Sequence, residues 1–154
     1  PDATYVCIKY QGGNVTLTEA RSYMPDEGDA SIEDMKQFAL ENGFKIVSAG
    51  NFLSNPLKTL KLMSGHYIVL ITLTDKDGDV HKHACALTEH NGAMFIVDNM
   101  ARQDVMEIGP KDRASQKDAL KVFKNLFPGA AQLFVRAVYS VCTGGAAAAA
   151  GGTR

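Results

Sequence analysis

A chain of 154 residues with 45% hydrophobic and 21% charged residues has the size and composition of one ordinary globular domain. The formal net charge is −1 and the charges are interspersed, which argues against nucleic acid or an anionic membrane surface as a partner. The longest apolar run, residues 67–73, is too short to span a bilayer.

The cysteine content indicates a reducing, intracellular environment. Cys7, Cys85 and Cys142 form no spaced framework, so a disulfide scaffold is not expected. The first residues show neither an initiator methionine nor the profile of a signal peptide, which indicates a chain that is processed or cut from a longer one.

The beginning of the chain predicts a short strand and a short helix. Apolar residues alternate over residues 4–10, which favours a strand that ends at Gly12. Either Thr16 or Thr18 then provides a cap for a helix that Pro25 stops.

A second helix and a strand follow. Ser31 and Asp34 stand three residues apart, as in a capping box, and open an amphipathic helix that Gly43 ends. The segment 44–48 then predicts a strand.

The middle of the chain predicts a helix followed by a hairpin. Asn55 and the proline after it suit a helix start, and Gly65 suits its end. The two strongest strand patterns lie at about 66–74 and 80–88, and a turn at 75–79 joins them.

The remaining elements complete an α+β fold, in which N-terminal helices pack on an antiparallel sheet with one late helix. They follow in order as a turn at 91–92, strands at 94–98 and 105–108, a helix over 115–126 and a strand at 133–141. Residues 1–142 are expected to form a single domain, and 143–154 a low-complexity Gly/Ala segment that serves as a mobile tail or extends a helix against a partner.

Two metal-binding patterns are present but weak. The acidic turn at 75–79 resembles the start of a calcium loop, yet Val80 occupies the glycine position and Ala86 the final ligand position. A hairpin turn is the better interpretation. No metal and no cofactor are expected from this motif.

Zinc-ligand residue types also occur on one predicted strand. His81, His83 and Cys85 alternate, so they share a face, and His66 on the neighbouring strand offers a fourth ligand. The spacing is not a familiar zinc pattern, and Cys85 lies in an apolar run typical of a core. The sequence therefore favours core packing over zinc.

His83 and Asp98 are the strongest candidates for a site. In a hairpin closed at residues 91–92, the start of one strand lies beside the end of the next, so these side chains meet. A carboxylate at that position would orient the imidazole and raise its basicity. The alternative, a half-exposed strand histidine and a turn-forming Asp98, stays equally open.

Three segments around this pair resemble a known family. They are Gly65–Leu70, His83–Leu87 and Phe95–Asn99. Their order over roughly residues 15–110 is similar to the second half of papain-like cysteine peptidases, in particular the compact bacteriocin-leader peptidase domains and the Josephin and ovarian-tumour-type deubiquitinases. The resemblance implies a papain-like fold with His83 as general base and Asp98, or Asn99 in its place, as the orienting residue.

The nucleophile of that family has no clear counterpart. In the family a cysteine opens a long helix and follows a Gln or Asn, whereas Cys7 stands in a predicted strand without either. Cys85 lies two residues beyond His83, and Cys142 lies near the end of the chain. The nucleophile segment therefore lies outside this chain, or the fold has lost its chemistry.

The resemblance implies a catalytically inactive or incomplete papain-like domain. Such a domain would bind a protein or peptide, or serve as a structural module in a larger complex. Two alternatives stay open: a thiol peptidase or deubiquitinase that uses Cys7, His83 and Asp98, and a scaffold subunit without peptidase ancestry.

Overall fold

A computed structural model describes residues 2–23, 31–49, 65–98, 105–111 and 116–144. The elements in these ranges are α1 (Asp2–Tyr10), α2 (Leu17–Arg21), α3 (Ile32–Glu41), β1 (Phe44–Ser48), β2 (His66–Asp75), β3 (Val80–His90), β4 (Ala93–Val97), β5 (Val105–Pro110), α4 (Gln116–Leu126) and β6 (Ala130–Thr143). The predicted α+β class is confirmed. No helix in the described ranges is long and apolar enough to cross a membrane.

The six strands form one antiparallel sheet in the order β1-β6-β2-β3-β4-β5. Two tight turns fix its centre. Asp75 accepts backbone hydrogen bonds from Asp77 and Asp79, both at 2.9 Å, and this closes the β2–β3 turn. Asn91 and Gly92 have φ values of 50° and 80°, the left-handed conformations of a two-residue hairpin turn, and they join β3 to β4. Both predicted turns are confirmed.

Helices cover both faces of the sheet. Because side chains alternate along a strand, Ile68 of β2 joins the cluster beneath α1 and α3, which includes Val6 and Phe38. Ile71 faces the other way, into the cluster that contains Phe123 of α4. Burying apolar groups on both faces gives the central strands the near-continuous hydrophobic runs seen in the sequence.

The predicted strand at 4–10 is wrong, because residues 2–10 form helix α1. Thr4 and Ile8 stand four residues apart and are both buried, so they lie on one helical face against the sheet. The apolar alternation in this segment is satisfied by a helix that is buried on more than one side. Gly12 and Gly13 end α1, since their N–H groups donate to the Lys9 and Ile8 carbonyls at 3.0 Å and Gly12 has a φ of 87°.

The other local predictions have mixed outcomes. The capping box of Ser31 and Asp34 is confirmed, and Thr16 is the residue that caps α2. The strand predictions after residue 44 are confirmed to within a few residues, and β6 begins at Ala130. The helix predicted from Asn55 lies outside the described residues, as do residue 115 at the start of the predicted late helix, Asn99 and the segment 145–154.

Candidate functional site

Strand register brings His83 and Asp98 together. Ala86 of β3 pairs with Val97 of β4, so Asp98, which follows β4 directly, lies level with Cys85. His83 stands two residues before Cys85 on β3, so both side chains project from the same face of the sheet. Nε2 of His83 contacts Oδ1 of Asp98, as the sequence predicts.

The surroundings of the pair orient the imidazole. The His83 side chain is 39% exposed and that of Asp98 is 15% exposed. The ring of Phe127 stands edge-on to the His83 ring, at 5.6 Å between centroids and 79° between planes. Because Nε2 faces the carboxylate, a neutral ring that donates from Nε2 carries its basic lone pair on Nδ1. This arrangement suits a general base, although the catalytic roles of both residues stay predictions.

A cleft of about 580 Å³ opens beside the pair, between the first turn of α1, helix α3 and the sheet. Its floor is apolar and includes Ile32, Met35, Ile68, Leu70 and Ala84. Its rim is polar and charged, with Asp2, Lys82, His83, Asp98 and Arg136. An apolar floor with a few polar groups at its rim is the usual form of a ligand site.

A β-bulge brings Arg136 to this cleft. Leu70 pairs with Ala137 and the next residue, Ile71, pairs with Val135, so Arg136 is the extra residue in β6. Bulges of this kind redirect a side chain and bend the strand. Sequence reasoning missed Arg136 and Lys82 as site residues. Nothing in the local sequence marks the bulge, because it depends on the register between β2 and β6.

Cys7 lies apart from the pair. It is in the second half of α1, it is fully buried, and its Sγ donates to the Tyr67 carbonyl at 3.3 Å. Tyr67 lies four residues along β2 from Ile71, the residue opposite His83, and four residues of strand span about 13 Å. Burial raises the pKa of the Cys7 thiol, and the thiol lies beyond the first turn, where the helix dipole acts. The structure does not bring Cys7 to His83.

Cys85 is the thiol beside His83 and Asp98, whereas Cys142 lies next to the edge strand β1. The buried Sγ of Cys85 donates to Oδ1 of Asp98 at 3.4 Å. Burial, and then the charge of Asp98, raise the pKa of Cys85 well above its usual value. Cys142 is partly exposed, and in the strand register it lies opposite Lys45 of the edge strand β1. Cys85 is therefore a protonated thiol at neutral pH.

The zinc ligands suggested by the sequence do not assemble as a set of four. His81 Nε2 pairs with Asp75 Oδ2 at 3.1 Å. His66 Nδ1 contacts the hydroxyl of the buried Thr88. These two histidines are thus engaged away from the cluster of His83 and Cys85.

His66 is expected to make stability depend on pH. Burial lowers its pKa below the usual 6.5, and the charge of Glu89 only partly offsets this. The unfolded chain then binds the proton more tightly than the folded chain does. The contribution of neutral His66 to the free energy of unfolding is therefore fully present above about pH 6.5, and it falls as the pH drops through the pKa of His66 in the unfolded chain and then through its lower pKa in the folded chain. Urea unfolding at pH values across this window should show that the free energy of unfolding falls more steeply with decreasing pH in wild type than in His66→Gln. Parallel curves for the two proteins would refute the effect.

Comparisons with known proteins give little beyond this geometry. No protein-family model matches the chain, and no curated protein matches it significantly. Among solved structures, the chain is similar to the crystal structure of the Pseudomonas avirulence protein AvrPphB, with 16% sequence identity and a TM-score of 0.33. The similarity covers 70% of this chain, which spans 57% of that one. A TM-score this low establishes neither a shared fold nor a shared activity.

Proposed function

We propose that this chain is a papain-like domain that binds a peptide segment in the cleft beside His83 and Asp98, and that it is catalytically incomplete. The observation that carries the proposal is the imidazole–carboxylate contact between two residues that line the cleft, beside the buried thiol of Cys85. A peptide is the expected occupant because the cleft lies between helices and the sheet and combines an apolar floor with polar edges.

The size of the cleft suits a short peptide segment. Its volume of about 580 Å³ falls within the range of about 300–1,000 Å³ that is typical of ligand sites. Met35, Ile68 and Leu70 offer apolar surface to one side chain of the partner. Burial of such a side chain contributes about 1.5–3 kcal/mol, so binding by one apolar anchor also needs polar contacts at the rim.

The charges at the rim favour an acidic residue in the partner. Asp2 is bound by Arg21, with Oδ2 2.9 Å from Nη2, and Asp98 is engaged by His83. Among the described residues, no acidic group forms an ion pair with Lys82 or Arg136. These two cations are available to a carboxylate of the partner, and a guanidinium can bind a carboxylate through two hydrogen bonds.

The positions of the thiols support the proposed incompleteness. A thiol nucleophile acts as the thiolate, within hydrogen-bond reach of its base. Cys7 is buried about 13 Å along the strand from the level of His83. Cys85 is close to the pair, but its thiol donates a hydrogen bond to the same carboxylate that orients His83. We infer that the pair serves recognition of the bound segment.

Peptide binding is tested by NMR with two pools of blocked heptapeptides, one with a central Glu and one with a central Lys. The Glu pool should shift the amide signals of cleft residues such as Ala3, Leu70 and Ala84, and the Lys pool should shift them much less. The double variant Lys82→Glu/Arg136→Glu should weaken binding of the Glu pool at least tenfold, about 1.4 kcal/mol.

A matched pair of substitutions controls for net charge. Lys121→Glu/Lys124→Glu changes the charge by the same amount on the exposed side of α4 and should leave binding unchanged. If neither pool shifts the cleft signals, the proposal fails and a scaffold role is favoured. Turnover of a fluorogenic peptide by wild type that His83→Ala abolishes would instead establish a peptidase.

A further inference from the structure

Cys85 completes a set of three metal-ligand side chains with His83 and Asp98. One ligand atom from each residue lies within 4.8 Å of the other two. Imidazole nitrogen, thiolate sulfur and carboxylate oxygen are the ligand types that zinc takes in proteins. This set differs from the one that the sequence suggests, because Asp98 replaces His81 and His66.

The sheet holds the three side chains in place. His83 and Cys85 are two residues apart on β3 and therefore project from one face. Asp98 is level with Cys85 through the pairing of Ala86 with Val97. Two of the ligands thus stand on β3, and the third directly follows β4, the strand hydrogen-bonded to β3. Ligands on or next to paired strands hold their geometry better than ligands on loops.

The distances suit a tetrahedral ion. Zinc bonds of 2.0–2.3 Å place the ligand atoms of one tetrahedral site about 3.3–3.8 Å apart. Sγ of Cys85 is already 3.4 Å from Oδ1 of Asp98. His83, the most exposed of the three, contacts the same carboxylate and needs only a small rotation to share an ion with it.

We propose that His83 Nε2, Cys85 Sγ and Asp98 Oδ1 bind a zinc ion, with the fourth position open to a water molecule that enters beside the partly exposed His83. Three protein ligands and one solvent position are a common zinc arrangement. On binding, the Cys85 thiol releases its proton to solvent and its sulfur lone pair forms the bond to the metal. The thiolate makes the set unfavourable for calcium or magnesium, which select oxygen ligands.

Zinc binding and base catalysis exclude each other at this site. The ion occupies Nε2 of His83 and the carboxylate of Asp98, the two groups that an imidazole–carboxylate pair needs. The Phe127 ring, which stands edge-on to His83, limits rotation of the imidazole in both states. The inference rests on the three ligand side chains and holds whether or not the cleft binds peptides.

The test uses the full chain, freed of metal with a chelator under reducing conditions. Calorimetry should show one equivalent of Zn²⁺ bound, and Co²⁺ should give tetrahedral d–d bands with a thiolate-to-cobalt charge-transfer band. Cys85→Ser should abolish the charge-transfer band. Each of Cys85→Ser, His83→Ala and Asp98→Ala should weaken Zn²⁺ binding at least tenfold.

Two matched variants locate the site. His81→Ala removes a histidine from the same strand and face, and Cys142→Ser removes a thiol elsewhere, so both should bind Zn²⁺ like wild type. The inference is overturned if wild type shows no saturable binding, if His83→Ala binds normally, or if His81→Ala abolishes binding. If circular dichroism shows that Cys85→Ser does not fold, Zn²⁺ binding by His83→Ala tests the inference instead, because the His83 side chain is partly exposed. Loss of zinc binding alone, with peptide shifts intact, leaves the proposed function standing.

Discussion

In the native protein, iodoacetamide is expected to alkylate Cys142 at least about a hundred times faster than Cys7. Cys7 is fully buried and its thiol donates to the Tyr67 carbonyl, whereas Cys142 is partly exposed. Reaction at Cys7 needs a thiolate and an opening that separates α1 from β2, and an opening free energy of about 3 kcal/mol already slows reaction by about a hundredfold. Peptide mapping by mass spectrometry at successive times measures both rates in one sample.

The same experiment separates a core cysteine from a nucleophile. In concentrated guanidinium the two rates should converge, because the difference comes from the fold alone. His83→Ala should leave the native Cys7 rate unchanged, since the helix packing and not the imidazole controls that rate. Rapid native labelling of Cys7 that slows in His83→Ala would contradict the core assignment and restore the thiol peptidase with Cys7, His83 and Asp98.

Local signals predicted the part of the fold that positions the pair. The Asn91-Gly92 turn sets the register of β3 and β4, and with it the meeting of His83 with Asp98. Such a turn needs only the conformational freedom of its own two residues, so the sequence shows it directly. The capping box at Ser31 is predictable for the same reason, because both of its hydrogen bonds lie within one helical turn.

The features that the sequence did not show depend on contacts between distant segments. The apolar pattern at residues 4–10 fits a strand as well as a helix. The segment forms a helix because its apolar side chains are then buried against the sheet. That packing also places Cys7 in the core. Arg136 reaches the cleft through a bulge in β6 against β2. That bulge depends on a register between distant segments, which no single segment encodes.

Phe123→Ala is expected to lower the free energy of unfolding by about 3–5 kcal/mol, the usual cost of removing a buried phenylalanine. Phe123 is fully buried and joins the sheet cluster that includes Ile71, Leu87 and Ile96. It is the largest fully buried side chain among the described residues of α4, so its loss leaves a cavity between the helix and the sheet. Urea unfolding followed by circular dichroism measures the change.

The same substitution should also disturb the site, which distinguishes it from other core changes. The Phe127 amide donates to the Phe123 carbonyl at 3.3 Å, so the end of α4 sets where the Phe127 ring meets His83. In Phe123→Ala the imidazole signals of His83 should therefore shift and broaden under conditions where the protein is still folded. Lys124→Ala, on the exposed side of α4, should change stability by less than about 0.5 kcal/mol and leave His83 unaffected. A loss below about 1 kcal/mol in Phe123→Ala would mean that α4 does not anchor this face of the sheet, and the orientation of His83 would then need another support.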